Sequence, residues 1–189
     1  MSLDFEFSAT HEAGHAVMQW LVGWVPGAVE ITTDDENRVT RAVTDNSRPA
    51  SYTLPNFRKR LLVVFAGVSA TRGKWPNRKN DEFDWQNAGE ALVKFLRITI
   101  EIVGSDFSQF KDEKANQLCQ TAIEICEEIV NHDLFQGAVD QIVQGLIELE
   151  PDDKNKRRLV SSETVSICEN CIGEEFQAKN QWSGWMEGQ

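Results

Sequence analysis

Two histidines four residues apart are the part of this chain best suited to chemistry. His11 and His15 stand in the run Thr-His-Glu-Ala-Gly-His-Ala, and residues four apart on an α-helix lie one turn apart on the same face. Two imidazoles placed in this way can bind one metal ion, and Zn²⁺ accepts nitrogen ligands at ~2.0–2.1 Å. Glu12 is beside the pair but outside the ligand line, where a carboxylate could take a proton from a water molecule. The spacing predicts half of a zinc site with a general base.

The bare H-E-x-x-H pattern is a weak signal because it fixes only three residues and occurs on many ordinary helices. Two features favour a metal site over a plain polar helix face. Two of the three histidines of the chain lie in this one turn, and the small spacer residues Ala13 and Gly14 allow another segment to approach the helix closely. A third ligand has to come from further along the chain.

The elements that must position this motif are predicted to be mostly helical. We expect the motif helix to begin with Ser8 as its N-cap and to end near Gly23. Residues 28–33 and 38–44 alternate polar and apolar side chains, which is typical of two strands in a hairpin or small meander. This hairpin could also provide an edge along which an extended peptide pairs beside the metal.

The later part of the chain predicts further helices. The helix that starts at Pro55 is apolar all round and should be buried, and small residues between 66 and 70 would let it pack closely on the motif helix. The other predicted helices are 81 to about 103, 107–131, 133–149 and 161–176, the last capped by Ser161 or Ser162. The fold class is therefore mainly α, a helical bundle with a small β element in one domain over 1–177. A polar tail at 178–189 contains Trp182, Trp185 and Met186.

Composition and charge limit the partners. The chain has 189 residues, of which 41% are apolar and 26% charged, with a net charge of −11. This charge argues against nucleic acid and anionic membranes as main partners. No stretch predicts an integral membrane segment or a signal peptide, so we expect a cytoplasmic protein. The basic cluster 154–158 is most simply interpreted as a solvated loop between helices.

Four cysteines occur, and in a cytoplasmic protein they predict free thiols rather than a disulfide framework. Cys119 and Cys126 are seven residues apart in a helical pattern and should face the core. Cys168 and Cys171 have the spacing of half a zinc site. A second, structural metal site made from all four is the less favoured alternative, because a single C-x-x-C is a weak signal.

Taken together, these features resemble the peptidase domain of FtsH-type ATP-dependent zinc metalloproteases. That family carries HEAGHA where this chain has His11–Ala16, a strand like Val29–Thr32, and a buried helix like Phe65–Ala70. Its N-D-[LI]-x-x-A motif is similar to Asp84–Ala88. The resemblance implies His11, His15 and Asp84 as Zn²⁺ ligands, with Glu12 as the general base.

The chain departs from the family pattern at two places. Thr71 and Arg72 stand where the family has glutamates, so a carboxylate that could orient a ligand is missing there or supplied elsewhere. Phe83 replaces the asparagine before the aspartate, which leaves Asp81 or Glu82 as alternative third ligands. No ATPase module is present in the sequence, so unfolding of folded substrates is not expected.

Two functions remain open from the sequence. The first is a zinc metalloendopeptidase that hydrolyses unfolded or flexible polypeptides without ATP. The second is a catalytically weak or inactive relative that uses the same fold to bind or regulate a partner protein. Absence of the ATPase and the Thr71 departure favour binding, whereas Glu12 favours an enzyme because a binding protein does not need it. The family forms hexameric rings, so a homo-oligomer or another protein partner is also an open expectation.

Overall fold

The computed structural model describes residues 3–44, 54–76, 112–173 and 182–187. These ranges are mainly helical and include a small three-stranded antiparallel sheet, which confirms the predicted fold class at this level. The helices are α1 (Leu3–Leu21), α2 (Leu54–Lys74), α3 (Asp112–Val130), α4 (Asp133–Glu148), α5 (Ser161–Cys171) and α6 (Ser183–Glu187). The strands are β1 (Val29–Thr33), β2 (Val39–Thr44) and β3 (Lys156–Leu159).

Helix α1 carries the His-Glu-x-x-His motif and contacts α2, α4, α5 and the strands β1 and β2. It begins at Leu3, so the prediction of Ser8 as its N-cap is wrong. The extra turn at its start buries Phe5 and Phe7 in the core, and this burial of large aromatic surface favours continuing the helix towards the N-terminus. The helix ends at Leu21, and Gly23 follows with a φ of +81°, a conformation that glycine adopts at little cost.

The sheet has the order β2-β1-β3, with both pairs antiparallel. Val29, Ile31 and Thr33 of the central strand are buried, as the alternating pattern predicted. The hairpin of β1 and β2 is confirmed, with Val29 opposite Thr44.

Strand β3 was not predicted, and the interpretation of residues 154–158 as a solvated loop is wrong. Its basic side chains have specific partners on neighbouring elements. Arg157 stacks its guanidinium 5.3 Å from the centre of the Phe5 ring, and its Nε donates to the Leu149 carbonyl at 2.9 Å. Lys156 pairs with Glu30 at 3.4 Å. The aliphatic stems of long cationic side chains can thus cover apolar surface while their charged groups are bonded.

Helix α2 is the buried helix that the sequence predicted, and it runs antiparallel to α1. Phe7, near the start of α1, meets Trp75 just after α2, with ring centroids 5.6 Å apart. At the middle of both helices a Cβ built on Gly14 would lie 2.8 Å from the Ala66 carbonyl oxygen and 2.9 Å from the Ala70 Cβ. The two backbones therefore approach each other at small residues, as predicted.

Helix α4 follows α3 after a short turn and is capped by His132, whose Nδ1 accepts from the Leu134 N–H at 3.3 Å. Helix α5 has Val160 at its N-cap, so the predicted serine caps are wrong. The Glu163 carboxylate instead accepts the Val160 N–H at 3.0 Å. This helix ends at Cys171, earlier than predicted, and Gly173 follows with a φ of +73°.

The short helix α6 packs against α2. Trp182 and Met186 are buried, and the Trp182 Nε1 donates to the Glu128 carboxylate at 3.1 Å. Arg58 donates to the Trp185 carbonyl at 2.5 Å and stacks 5.2 Å from that indole ring. The apolar residues of the C-terminal tail thus contact the helical core.

Among the described helices, none has a stretch long and apolar enough to cross a membrane. The helix predicted for 81–103 lies outside the described residues, and so do Asp81, Glu82 and Asp84.

Candidate metal centre

The two histidines of α1 lie one turn apart on the same face of the helix, as their spacing predicted. The Nε2 atoms of His11 and His15 are 3.1 Å apart. Their rings are nearly perpendicular, with an interplanar angle of 87° and centroids 4.7 Å apart. Both side chains are partly buried. Two ring nitrogens of a type that can bind a metal ion are therefore direct neighbours.

The orientation of His15 is fixed by the neighbouring helix. Its Nδ1 is 2.6 Å from the carbonyl oxygen of Val63 in α2. Because a carbonyl oxygen can only accept, Nδ1 must carry the proton of this bond. In neutral His15 the lone pair is then on Nε2, the atom that points at His11. A hydrogen bond from the second ring nitrogen to a backbone carbonyl is the usual way in which proteins set the tautomer of a metal-binding histidine.

One ring nitrogen of His11 has no hydrogen-bond partner among the described residues. This nitrogen is Nδ1, and it is buried. Burial, together with the neighbouring His15, lowers the pKa of His11 from 6.5 to about 3. His11 is therefore neutral at ordinary pH, and the neutral imidazole is the form that binds metals.

The separation of the two imidazoles fits a zinc ion. Two nitrogens at ~2.0–2.1 Å from a tetrahedral centre are about 3.3 Å apart, close to the 3.1 Å between the Nε2 atoms. Since Nε2 of neutral His15 is an acceptor, the Nε2–H tautomer of His11 satisfies this contact. To hold a metal through both Nε2 atoms, His11 would have to carry its proton on the buried Nδ1 instead.

A complete ligand set is not seen in the described part of the chain. There, no group of three or more His, Cys, Asp or Glu side chains is placed to hold a metal. The predicted third ligand Asp84 and its alternatives Asp81 and Glu82 lie outside the described ranges. The assignment of the third ligand stays a prediction from the resemblance.

Glu12, the predicted general base, is on the same helix between the two histidines. It is only 9% exposed, and its carboxylate has no hydrogen bond or ion pair among the described residues. Its backbone carbonyl accepts from the Thr44 hydroxyl at 2.7 Å, so the end of strand β2 lies against this turn of α1.

No protein-family model matches this chain, and no curated protein matches it. The resemblance to FtsH-type peptidases therefore depends on the residues themselves.

The two positions that depart from the family pattern have ordinary structural partners. The Thr71 hydroxyl donates to carbonyls of its own helix, to Val68 at 2.8 Å and to Gly67 at 3.2 Å. Arg72 pairs with Glu127 of α3 at 3.3 Å. The carboxylate that the family places here is not replaced by these two side chains.

Two contributions from α2 could not be assigned from the sequence. The Val63 carbonyl is a backbone group, so no side-chain pattern signals it. Gly67 was predicted only as a small packing residue, yet a Cβ at this position would lie 2.6 Å from His15 Nε2 and 2.9 Å from His11 Cε1. The second helix is thus an immediate neighbour of both imidazole rings.

Proposed function

We propose that this chain is a zinc-dependent endopeptidase that hydrolyses unfolded or flexible polypeptides. The single observation that carries the proposal is the arrangement of His15. Its Nδ1 is bonded to the Val63 carbonyl while its Nε2 converges with that of His11. An ordinary pair of histidines on a polar helix face does not need its tautomer fixed by a second helix, whereas a metal ligand does.

Each residue has a separate task in this proposal. His11 and His15 hold zinc through Nε2, and Asp84 is the third ligand by resemblance. Bound zinc would lower the pKa of a water molecule towards ~7 and polarise the substrate carbonyl. Glu12 accepts the proton of the attacking water and then delivers it to the leaving amine. Its position between the two histidines on the same turn of helix supports this role.

The sheet supplies a surface for the polypeptide. Within the described residues β2 pairs only with β1, so its outer edge has no strand partner there. The bond from Thr44 to the Glu12 carbonyl holds the end of this strand at the turn that bears the general base. An extended chain can pair with such an edge, and a folded substrate cannot. This geometry favours flexible polypeptides as substrates.

Zinc content and peptide hydrolysis test the proposal together. We expect one zinc per chain by elemental analysis, retained in Glu12→Gln and lost in His15→Ala and Asp84→Ala. Cleavage of a quenched fluorescent casein should fall by about 10²–10⁴-fold in Glu12→Gln, the usual contribution of a general base. A Glu12→Gln variant as active as wild type would rule out this mechanism. Zinc kept in Asp84→Ala would move the third ligand to Asp81, Glu82 or another residue.

A second candidate is a binding protein built on the same scaffold. Thr71 and Arg72 favour it, because they stand where the family has glutamates and therefore supply no carboxylate there. The same measurements separate the two functions. Wild-type protein that binds zinc but cleaves no casein or unstructured peptide would support the binding protein over the enzyme.

A further inference from the structure

The turn of α2 from Val63 to Gly67 touches the two imidazoles at more than one point. We propose that Gly67 is the positioning residue of the histidine pair, because the absence of a side chain there leaves the space that both rings occupy. This inference rests on the proposed metal site and adds a residue that acts on the ligands without binding the metal.

The distances at Gly67 identify what fills this space. A Cβ on Gly67 would lie 2.6 Å from His15 Nε2, 2.8 Å from His15 Cε1 and 2.9 Å from His11 Cε1. These are the ends of two ring side chains, including one of the metal-binding nitrogens. A methyl group at Gly67 would therefore displace the imidazoles.

A second glycine at the same crossing makes a different kind of contact. A Cβ on Gly14 would meet the Ala66 carbonyl oxygen at 2.8 Å and the Ala70 Cβ at 2.9 Å. The neighbours of Gly14 are backbone and Cβ atoms of α2, which can move away only if the two helices move apart. The neighbours of Gly67 are ring ends, which can rotate away. We therefore expect Gly14 to serve helix packing and Gly67 to serve ring placement.

Rotation of the rings would undo the geometry of the site. Val63 and Gly67 are four residues apart, so they lie on the same face of α2. The Val63 carbonyl accepts a hydrogen bond from His15 Nδ1 at 2.6 Å. Gly67, which has no side chain, lies next to His15 Nε2. A ring pushed away from Gly67 loses its alignment with the Val63 carbonyl, and the two Nε2 atoms then no longer converge.

Cobalt binding to the full chain tests this role without relying on activity. Co²⁺ can replace zinc, and its visible absorption reports the ligand geometry. We expect Gly67→Ala to weaken Co²⁺ binding by about 10–100-fold, the range found when groups that orient metal ligands are altered. The matched control is Gly73→Ala on the same helix, where a Cβ would meet nothing within 4 Å, and its Co²⁺ affinity and spectrum should equal those of wild type.

Unfolding in urea shows whether the effect is local. We expect Gly67→Ala to keep a cooperative transition with a midpoint near that of wild type, because the rings can move aside. If Gly67→Ala does not fold, adding His11→Ala and His15→Ala should restore folding, since these changes remove the rings that the methyl group meets. Failure of this rescue would overturn the proposal.

The two proposals fail in different ways. Wild-type protein that binds neither Co²⁺ nor Zn²⁺ would overturn the proposed function. Wild-type binding together with an unchanged Co²⁺ affinity and spectrum in Gly67→Ala would overturn the positioning role alone.

Discussion

The chain contains two pairs of potential metal-binding residues on helices, and the two pairs have different surroundings. His11 and His15 lie four apart on α1, whereas Cys168 and Cys171 lie three apart on α5. Both spacings are compatible with half of a zinc site. The histidine pair lies against α2, which supplies the Val63 carbonyl to one ring and the space at Gly67 to both.

The cysteine pair has no equivalent support. Burial, together with the neighbouring Cys171 and Glu169, raises the pKa of Cys168 from 9.0 to about 12. The thiolate is the form that binds metal, so these surroundings oppose binding. All four cysteines are free thiols, as predicted. Both pairs have the spacing of half a zinc site. The histidine pair differs because a neighbouring helix, α2, orients its side chains.

The largest expected difference is in thiol reactivity. Burial raises the pKa of both Cys126 and Cys168 from 9.0 to about 12, which lowers the thiolate fraction at pH 8 by about 10³. In native protein we expect iodoacetamide to modify these two cysteines at least that much more slowly than in urea-unfolded protein. Mass spectrometry of the labelled peptides measures each site. Rapid native labelling of Cys168 would contradict its burial and weaken the contrast with the histidines.

The response of stability to zinc should separate the two pairs directly. At a free zinc concentration 100 times the dissociation constant, the free energy of unfolding should rise by about 2.7 kcal/mol. We expect His15→Ala to abolish this increase and Cys168→Ala to retain it, as measured by urea unfolding with and without zinc. An increase that disappears in Cys168→Ala but survives in His15→Ala would reverse the assignment of the metal site.

The sequence predicted the parts of the site that depend on local pattern. The helical spacing of His11 and His15 and the small residues of α2 were enough to expect converging imidazoles and a close helix crossing. The alternation in 28–33 and 38–44 likewise predicted the hairpin. These features repeat along a single element, so they can be recognised without knowing what that element packs against.

Features that arise from long-range contacts were missed. The basic run that ends at Arg158 was interpreted as solvated, yet Arg157 covers Phe5 from the far end of the chain. The early start of α1 follows from the same burial of Phe5. The Val63 carbonyl became a partner of His15 only through the crossing of two helices. In each case the deciding contact joins residues that are distant in sequence. Local sequence preferences cannot predict such a contact.

Substitution of Gly14 should show that the helix crossing is rigid. We expect Gly14→Ala to lower the free energy of unfolding by about 1–3 kcal/mol, because the methyl group meets the Ala66 carbonyl and the Ala70 Cβ at less than 3 Å. Gly137→Ala is the control, since a Cβ there meets nothing within 4 Å; it should stabilise α4 by up to about 1 kcal/mol. If urea unfolding gives the same change in free energy for Gly14→Ala and Gly137→Ala, the helix crossing can accommodate a methyl group at Gly14.

The smallest expected effect concerns the bond that holds β2 to the motif. The Thr44 hydroxyl is buried and donates to the Glu12 carbonyl at 2.7 Å. Thr44→Val keeps the shape but removes this bond, so we expect a loss of about 0.5–1.5 kcal/mol in the free energy of unfolding. The Glu12 carbonyl keeps its intrahelical bond, which favours the lower end of that range.

Thr40→Val is the matched control on the same strand, because the Thr40 hydroxyl donates to the Thr32 carbonyl at 3.3 Å in an exposed position. Its removal should change stability little. If β2 guides the polypeptide to Glu12, Thr44→Val should also slow casein cleavage while zinc content stays constant, and Thr40→Val should not. Cleavage that falls equally in both variants would mean that the strand acts through general stability. If Thr44→Val loses stability but cleaves casein as fast as wild type, the bond between β2 and the Glu12 carbonyl does not help to place the substrate.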